Sequence, residues 1–172
     1  MDSSEALIKV IKRIEALEDA VREHINTTRY QADLLKNLDN WNQICSSLDT
    51  IGDTLYSIQD YLNAKYPDSV GLKYIYTYGF LQALFIQQDA ISHLSEAFEI
   101  KLELSEKLKR IREIRNASIG HPTKNKIKGE TYYNYISRIT LSKYGFTLMR
   151  SFQQDKNEFM DIDLKAILQE QL

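Results

Sequence analysis

The segment Arg112-Glu-Ile-Arg-Asn-Ala-Ser-Ile-Gly-His-Pro122 marks the end of the last long helix predicted in this chain. Apolar residues recur at helical spacing before it, which predicts an amphipathic helix over about residues 102–119. These residues are Leu104, Leu108, Ile111 and Ile114. Gly120 and Pro122 should end the helix, because glycine tolerates left-handed backbone angles and proline lacks an amide donor. The segment therefore divides the chain into a helical part and a C-terminal part of different character.

Three more long helices are predicted before this one. Heptad-like apolar spacing indicates helices over residues 4–25, about 40–64 and about 70–98. Residues 26–38 are polar and leave the presence of a further short helix open. The helix over residues 70–98 is apolar almost all round near its middle, so we expect it to be central, and Gly79 within it suggests a closely packed neighbour. Short connections between the helices favour an up-and-down bundle.

The pattern changes after His121. Residues 123–130 form a predicted basic loop, and residues 132–141 and 146–152 have the composition of two strands joined by a turn. Residues 161–171 predict a short closing helix. An isolated hairpin is only marginally stable in water, so we expect it to pack on the helices or on a partner.

The predicted fold class is mainly all-α. It comprises an up-and-down bundle of four to five helices, a small C-terminal β-hairpin and a short closing helix. Residues 1–125 would form the bundle, and residues 126–172 would pack on it within a single domain. The length of 172 residues, with 43% hydrophobic and 27% charged residues, is ordinary for a soluble domain.

The composition also bears on location. The N-terminus lacks the pattern of a secretory signal, and the longest apolar stretch, residues 74–86, is interrupted and too short for a membrane span. A single cysteine, Cys45, excludes an internal disulfide. We therefore expect a cytoplasmic protein with no membrane partner.

Charge is distributed unevenly along the chain. The formal net charge of −2 does not by itself indicate a nucleic-acid partner. Residues 101–128 nevertheless contain nine basic and three acidic residues, so this segment carries +6 and the rest of the chain −8. A local contact with a polyanion would explain such a strip, and a solvated helix face followed by a lysine-rich loop is the alternative.

Arg115, Asn116 and His121 form the one polar constellation in the sequence that suggests catalysis. On an unbroken helix, the six positions from Arg115 to His121 correspond to a rotation of about 600°, which leaves the two side chains about 120° apart. They would therefore not meet on a regular helix. A break at Gly120 would bring His121 back towards the Arg115 face.

The sequence Arg115-Asn116-(four residues)-His121 resembles the R-x(4–6)-H motif of the HEPN superfamily, in which the position after the Arg is often polar. The resemblance covers the motif and, more loosely, the helical region over about residues 5–122. HEPN proteins are helical bundles, and many are metal-independent endoribonucleases of toxin–antitoxin, CRISPR and phage-defence systems. The resemblance implies RNA as substrate, no cofactor or metal, and a homodimer in which two motifs face each other. An antitoxin or regulatory protein is a further implied partner.

The chemistry assigns a role to each motif residue. His121 would act as a general base or acid, because histidine titrates near neutral pH. Arg115 would present a planar, permanently charged fork that matches phosphate oxygens, and Asn116 would orient His121 or the phosphate. In HEPN proteins a polar side chain of an earlier helix often faces the motif, so the resemblance gives Gln88 and Asp89 a supporting role. An exposed helix face is the alternative for these two residues.

Four basic residues around the motif are candidates for binding RNA: Arg112, Lys124, Lys126 and Lys128. A non-catalytic HEPN-like helical dimer is the alternative to a nuclease. It would act as an adaptor or as a module that binds a nucleotide or a partner protein. The sequence has no glycine-rich phosphate loop, no paired cysteines, and no serine or cysteine nucleophile with an evident histidine partner.

Overall fold

The computed structural model describes residues 3–120, 122–127, 129–152 and 156–172. Within these residues the chain is mainly helical, which confirms the predicted class. The elements, in chain order, are α1 (Ser3–Ile25), α2 (Thr28–Leu34), α3 (Leu38–Asn63), α4 (Val70–Ala97), α5 (Glu106–Arg115), a π-helical turn (Asn116–Gly120), β1 (Asn125–Ile127), β2 (Glu130–Ile136), β3 (Gly145–Phe152), β4 (Asn157–Asp163) and α6 (Leu164–Gln171).

Contacts within the chain divide it into two compact units. The first comprises residues 1–63, 83–104 and 172, and the second comprises residues 64–82 and 105–171. Helix α4 contributes its N-terminal half to the second unit and its C-terminal half to the first. The motif and the residues that hold it belong to the second unit.

The first unit is built on α1 and α3, which pack against each other as the apolar stripes predict. The stripe of α3 is buried at Ile44, Leu48, Ile51, Leu55 and Ile58. In α1, Leu7, Ile11 and Ile25 are buried, whereas Leu17 is exposed. Residues 26–38, which the sequence left open, contain the short helix α2.

The middle of α4 is buried at Phe80, Leu81 and Leu84, as its composition predicts. The prediction of a closely packed neighbour at Gly79 is wrong. A Cβ atom on Gly79 would meet no heavy atom within 4 Å, because this glycine lies on an exposed side of the helix. In the part of the chain that the structure describes, no helix combines the length and the apolarity needed to cross a membrane.

Helix α5 begins later than predicted. Residues 101–105 are not helical, and the helix begins at Glu106. The hydroxyl of Ser105 caps this end by accepting a hydrogen bond from the backbone N–H of Leu108 at 3.3 Å. The buried face of α5 consists of Ile111 and Ile114, which are two of the four residues in the predicted stripe.

The predicted C-terminal hairpin is wrong in extent, because the strands form a four-stranded antiparallel sheet of order β1-β2-β3-β4. Strands β2 and β3 are the two predicted strands, paired with Tyr132 opposite Phe152. Strand β1 lies within the predicted basic loop, and β4 occupies the start of the predicted closing helix. Both added strands are outer strands with mostly exposed side chains, so their sequences are not constrained to the apolar pattern of an inner strand.

The closing helix α6 therefore begins at Leu164 rather than at residue 161. The carboxylate of Asp163 caps it, with Oδ1 accepting hydrogen bonds from the backbone N–H groups of Lys165 and Ala166, both at 2.9 Å. Helix α6 packs against α5. The helix that ends in the motif is thus supported by the C-terminal element of the chain.

Candidate functional site

The backbone leaves the α-helical path at Asn116, where α5 widens into the π-helical turn. A π-helix joins each N–H to the carbonyl five residues earlier, so it re-aims the side chains that follow. Such single turns are rare and occur frequently at functional sites. Arg115 is the last residue of α5 and Asn116 the first of the turn. The helix therefore changes at the start of the motif, before the glycine at which the sequence predicts a break.

Gly120 has a different role from the predicted one. Its backbone is not left-handed, since the positive φ angles among the described residues are those of Glu99 and Gly129. A Cβ atom on Gly120 would instead lie 2.8 Å from Nη1 of Arg115 and 3.2 Å from Oδ1 of Asn116. The prediction of a left-handed cap is wrong. A side chain at position 120 would therefore force the guanidinium of Arg115 to shift from its observed position.

The guanidinium of Arg115 is held by two amide side chains. Its Nε and Nη2 donate to Oε1 of Gln82 at 2.9 and 2.7 Å, and its Nη1 donates to Oδ1 of Asn116 at 2.8 Å. Both of these acceptors are uncharged, and their contacts fix the plane of the guanidinium. A preorganised positive group of this kind is suited to stabilise a phosphate that gains negative charge.

Gln82 is a functional candidate that the sequence analysis missed. It interrupts the apolar stretch over residues 74–86, and a polar side chain in a buried helix needs a partner. The same reasoning selected Gln88 and Asp89, which lie one to two turns further along α4 and belong to the first unit. Gln88 is buried and Asp89 half-buried, and their supporting role remains a prediction.

Two of the predicted site residues, His121 and Lys128, lie outside the residues that the structure describes. The next residue after His121 is half-buried Pro122, whose carbonyl oxygen accepts a hydrogen bond from the backbone N–H of Asn134 at 2.8 Å. Strand β2 also packs on the π-helical turn. The sheet therefore holds both the turn and the segment that follows the motif.

A cleft of about 470 Å³ opens beside the π-helical turn, within the second unit. Its walls come from the N-terminal half of α4, the turn, the segment after it, and β2 with the loop that follows. The lining includes Tyr74, Tyr78, Ser118, Asn134, Tyr135 and Arg138. A volume of this size falls within the range of small-molecule sites, roughly 300–1,000 Å³.

The lining of this cleft includes two buried polar atoms without a partner. Ser118 is 2% exposed and Asn134 is 5% exposed. In the part of the chain that the structure describes, Oγ of Ser118 and Nδ2 of Asn134 make no hydrogen bond. An unpaired buried polar group destabilises a protein by about 1–3 kcal/mol, so each such group needs an explanation.

Tyrosine rings form part of the cleft wall. The rings of Tyr74 and Tyr78 lie 5.5 Å apart between centroids and are tilted by 53°. Burial raises the pKa of the Tyr78 phenol above its ordinary value, and neighbouring Tyr74 adds to the shift. The hydroxyl of Tyr78 is therefore protonated at neutral pH and can donate a hydrogen bond.

Three of the basic residues predicted to bind RNA lie in the described part of the chain, and they are exposed or half-buried. Lys124 and Lys126 are exposed, and Arg112 is half-buried on α5, three positions before Arg115. Arg138 is a further exposed cation at the cleft, missed because it lies outside the basic segment over residues 101–128. Their contact with RNA remains a prediction.

Within the described ranges, no group of three or more His, Cys, Asp or Glu side chains is arranged to hold a metal ion. No protein-family model matches this chain, and neither a curated protein nor a solved structure matches it significantly. Functional inference therefore starts from the geometry of the second unit.

Proposed function

We propose that this chain is a metal-independent endoribonuclease of HEPN type that cleaves RNA with Arg115 and His121. The proposal includes a HEPN-like up-and-down helical bundle over residues 1–125, on which residues 126–172 pack. It also includes a homodimer in which the motifs of two chains share one site. Toxin or phage-defence activity, controlled by an antitoxin or another regulatory protein, is the biological setting that the resemblance implies.

The observation that carries this proposal is the way in which Arg115 is held. Three hydrogen bonds to the neutral side chains of Gln82 and Asn116 fix its guanidinium at the start of a π-helical turn. Gly120 leaves the space that the guanidinium occupies. A guanidinium oriented in this way is preorganised to stabilise the charge of a phosphate.

The proposed reaction uses the RNA itself as nucleophile. One His121 removes the proton of a 2′-hydroxyl, whose oxygen attacks the adjacent phosphorus. Arg115 stabilises the negative charge of the pentavalent phosphorane. The His121 of a second copy protonates the 5′-oxygen as its bond to phosphorus breaks. The products are a 2′,3′-cyclic phosphate and a 5′-hydroxyl, so no metal or other cofactor is consumed.

Basic residues near the motif support a polyanionic substrate. Lys124 and Lys126 are exposed in the segment that follows the motif, and Lys128 and Arg112 continue the basic strip in the sequence. Each cation that contacts a phosphate makes binding more sensitive to salt. We therefore expect RNA binding to weaken steeply as the salt concentration rises.

The test is an RNA cleavage assay in EDTA with the whole chain, several single-stranded RNAs and tRNA. We expect wild-type protein to cleave and His121→Ala to lose cleavage. His93→Ala is the matched control, because His93 is an exposed histidine outside the motif. Equal cleavage by wild type and His121→Ala, or cleavage abolished by EDTA, would contradict the proposal.

A second candidate function, a non-catalytic module that binds nucleotides, is favoured by the cleft beside the turn. Its two unpaired buried polar atoms suit ligand binding whether or not cleavage occurs. Binding of RNA without cleavage, unchanged in His121→Ala, would favour this function over the nuclease.

A further inference from the structure

On the premise that the chain binds RNA as proposed, we infer that the cleft beside the π-helical turn takes an unpaired nucleobase. In the proposed reaction, Arg115 and His121 act on the phosphate and the ribose of the RNA. The cleft would add recognition of one base of a single-stranded segment. Its described lining comes from α4, the π-helical turn, the segment after that turn, and β2 with the loop that follows, and it does not include Arg115 or Asn116.

Two polar atoms in residues of the cleft wall are shielded from solvent and have no hydrogen-bond partner among the described residues. The Oδ1 atom of Asn134 accepts a hydrogen bond from Nε of Arg150 at 3.5 Å, which leaves Nδ2 as the amide atom without a partner. The backbone N–H of Asn134 bonds Pro122, so this residue is held in place. Nδ2 can only donate, whereas the hydroxyl of Ser118 can donate or accept. A matching ligand edge carries an acceptor beside a second polar atom, as the edges of nucleobases do.

The aromatic residues select a flat ligand. Tyr74, Tyr78 and Tyr135 line the same cleft, and Tyr135 is 51% exposed, so part of its ring is available to solvent. Bases stack on aromatic rings without regard to sequence, with about 1–3 kcal/mol per base. A free phosphate has no ring to stack on these tyrosines.

The surroundings of the cleft suit a nucleotide within a chain. Arg138 is an exposed cation in the lining and can contact a phosphate that follows the bound base. Ser118 precedes His121 by three positions and Pro122 follows it directly, and both line the cleft. A base in the cleft would therefore sit beside the segment that carries the proposed catalytic histidine.

The first experiment measures binding of a fluorescent 2′-O-methyl oligoribonucleotide of about eight nucleotides, which lacks the hydroxyl needed for cleavage. Tyr135→Leu is the test variant, and Tyr144→Leu is its control, because each tyrosine is 51% exposed and Tyr144 lies outside the cleft. We expect about tenfold weaker binding by Tyr135→Leu and less than a twofold change in Tyr144→Leu. Equal binding by the two variants, or no binding by wild type, would overturn the inference.

The Ser118→Ala variant tests whether the hydroxyl of Ser118 binds the ligand or stabilises the fold. Because Oγ of Ser118 has no partner in the described part of the chain, its removal should leave the melting temperature unchanged or higher. We expect affinity for the same oligonucleotide to fall about fivefold. A lower melting temperature together with unchanged affinity would show a structural role and overturn the inference.

Two further probes identify the source of the base. An oligonucleotide of the same length with abasic positions should bind wild type and Tyr135→Leu equally, since it offers no ring to stack. Displacement of the oligonucleotide by free adenosine or uridine monophosphate would support the pocket and make a free nucleotide a ligand of the same cleft. The inference would be overturned if removal of the bases weakened binding by the same factor in wild type and in Tyr135→Leu.

Failure of the nuclease proposal remains distinguishable. Weaker binding in Tyr135→Leu without any cleavage by wild type would support the base pocket and reject the nuclease. Cleavage that depends on His121, with binding unchanged in Tyr135→Leu and Ser118→Ala, would support the nuclease and reject the pocket.

Discussion

Two arginines, one in each unit, are held in opposite ways. Arg22 of α1 donates from Nε to the carboxylate of Glu18 and from Nη2 to Oδ1 of Asp49 at 2.8 Å. Arg115 donates to the neutral amide oxygens of Gln82 and Asn116. Each guanidinium is oriented by contacts on more than one of its nitrogens. The difference lies in the charge of the acceptors.

The difference in acceptors determines what each arginine can do. Burial acts to lower the pKa of Arg22, but its hydrogen bonds with Glu18 and Asp49 outweigh burial and raise that pKa. Two carboxylates also oppose the charge of Arg22, so an incoming anion would meet local repulsion. The amide oxygens of Gln82 and Asn116 orient Arg115 and carry no formal charge. The first arrangement is that of a structural ion pair, and the second is one that the proposed contact of Arg115 with a phosphate would use.

The largest effect is expected when Arg115 is replaced by lysine. In Arg115→Lys the charge remains, but a single ammonium group cannot keep the contacts of a planar fork with Gln82 and Asn116. We expect RNA cleavage in EDTA to fall at least 100-fold, the scale of losing an oriented charge-stabilising donor. Arg22→Lys is the control and should change cleavage less than about twofold. Comparable losses in both variants would remove the distinction between the two arginines.

Gly120→Ala should have the next largest effect. Its Cβ would lie 2.8 Å from Nη1 of Arg115, so the guanidinium has to shift, and small misplacements of positioning groups are known to cost orders of magnitude in rate. We expect cleavage to fall at least tenfold while the melting temperature changes little, since a flexible side chain can move aside. Kinetics and thermal unfolding of the same preparation test this. Full activity in Gly120→Ala would show that the observed position of Arg115 is not required.

Gln82→Glu would convert the Arg115 arrangement into that of Arg22. The new carboxylate would pair with the guanidinium and oppose its charge towards RNA. We expect binding of the uncleavable oligonucleotide to weaken and its dependence on salt to decrease by about one phosphate contact. The reverse exchange in the first unit, Glu18→Gln, is the control and should leave RNA binding unchanged. An identical salt dependence in wild type and Gln82→Glu would indicate that Arg115 does not contact a phosphate.

The smallest effect on cleavage is expected for Gly79→Ala. This replacement matches Gly120→Ala but is made where the added methyl group has room. A Cβ at Gly79 meets no heavy atom within 4 Å, and alanine favours a helix interior over glycine by roughly 1 kcal/mol. We expect the free energy of unfolding to rise by about 1 kcal/mol, measured by urea denaturation, with cleavage and RNA binding unchanged. A destabilised variant would point to a close neighbour in solution.

The long helices were predictable because their signal is local and repeated. In α1, α3 and α4 the apolar residues recur over many turns, so the pattern identifies each helix from the sequence alone. Strands β1 and β4 were not predicted, because outer strands expose most of their side chains and carry little apolar alternation. Their pairing depends on neighbours that the local sequence does not reveal.

Part of the candidate site was predictable for a similar reason. Arg115 and Asn116 were selected by their spacing from His121, and the structure shows contacts that orient Arg115. Gln82 was passed over, although the rule that buried polar groups need partners applies to it as well as to Gln88. The sequence offers several polar residues along α4 and does not say which of them meets an arginine over thirty positions away.

The sequence by itself determined the helical class, the positions of the long helices and the strands at the centre of the sheet. These follow from periodicity and residue chemistry, which act over a few neighbouring positions. Tertiary structure alone decided that Arg115 is held by Gln82 and that Ser118 and Asn134 line one cleft. These features depend on distances between residues remote in the chain, and packing of the whole second unit sets those distances.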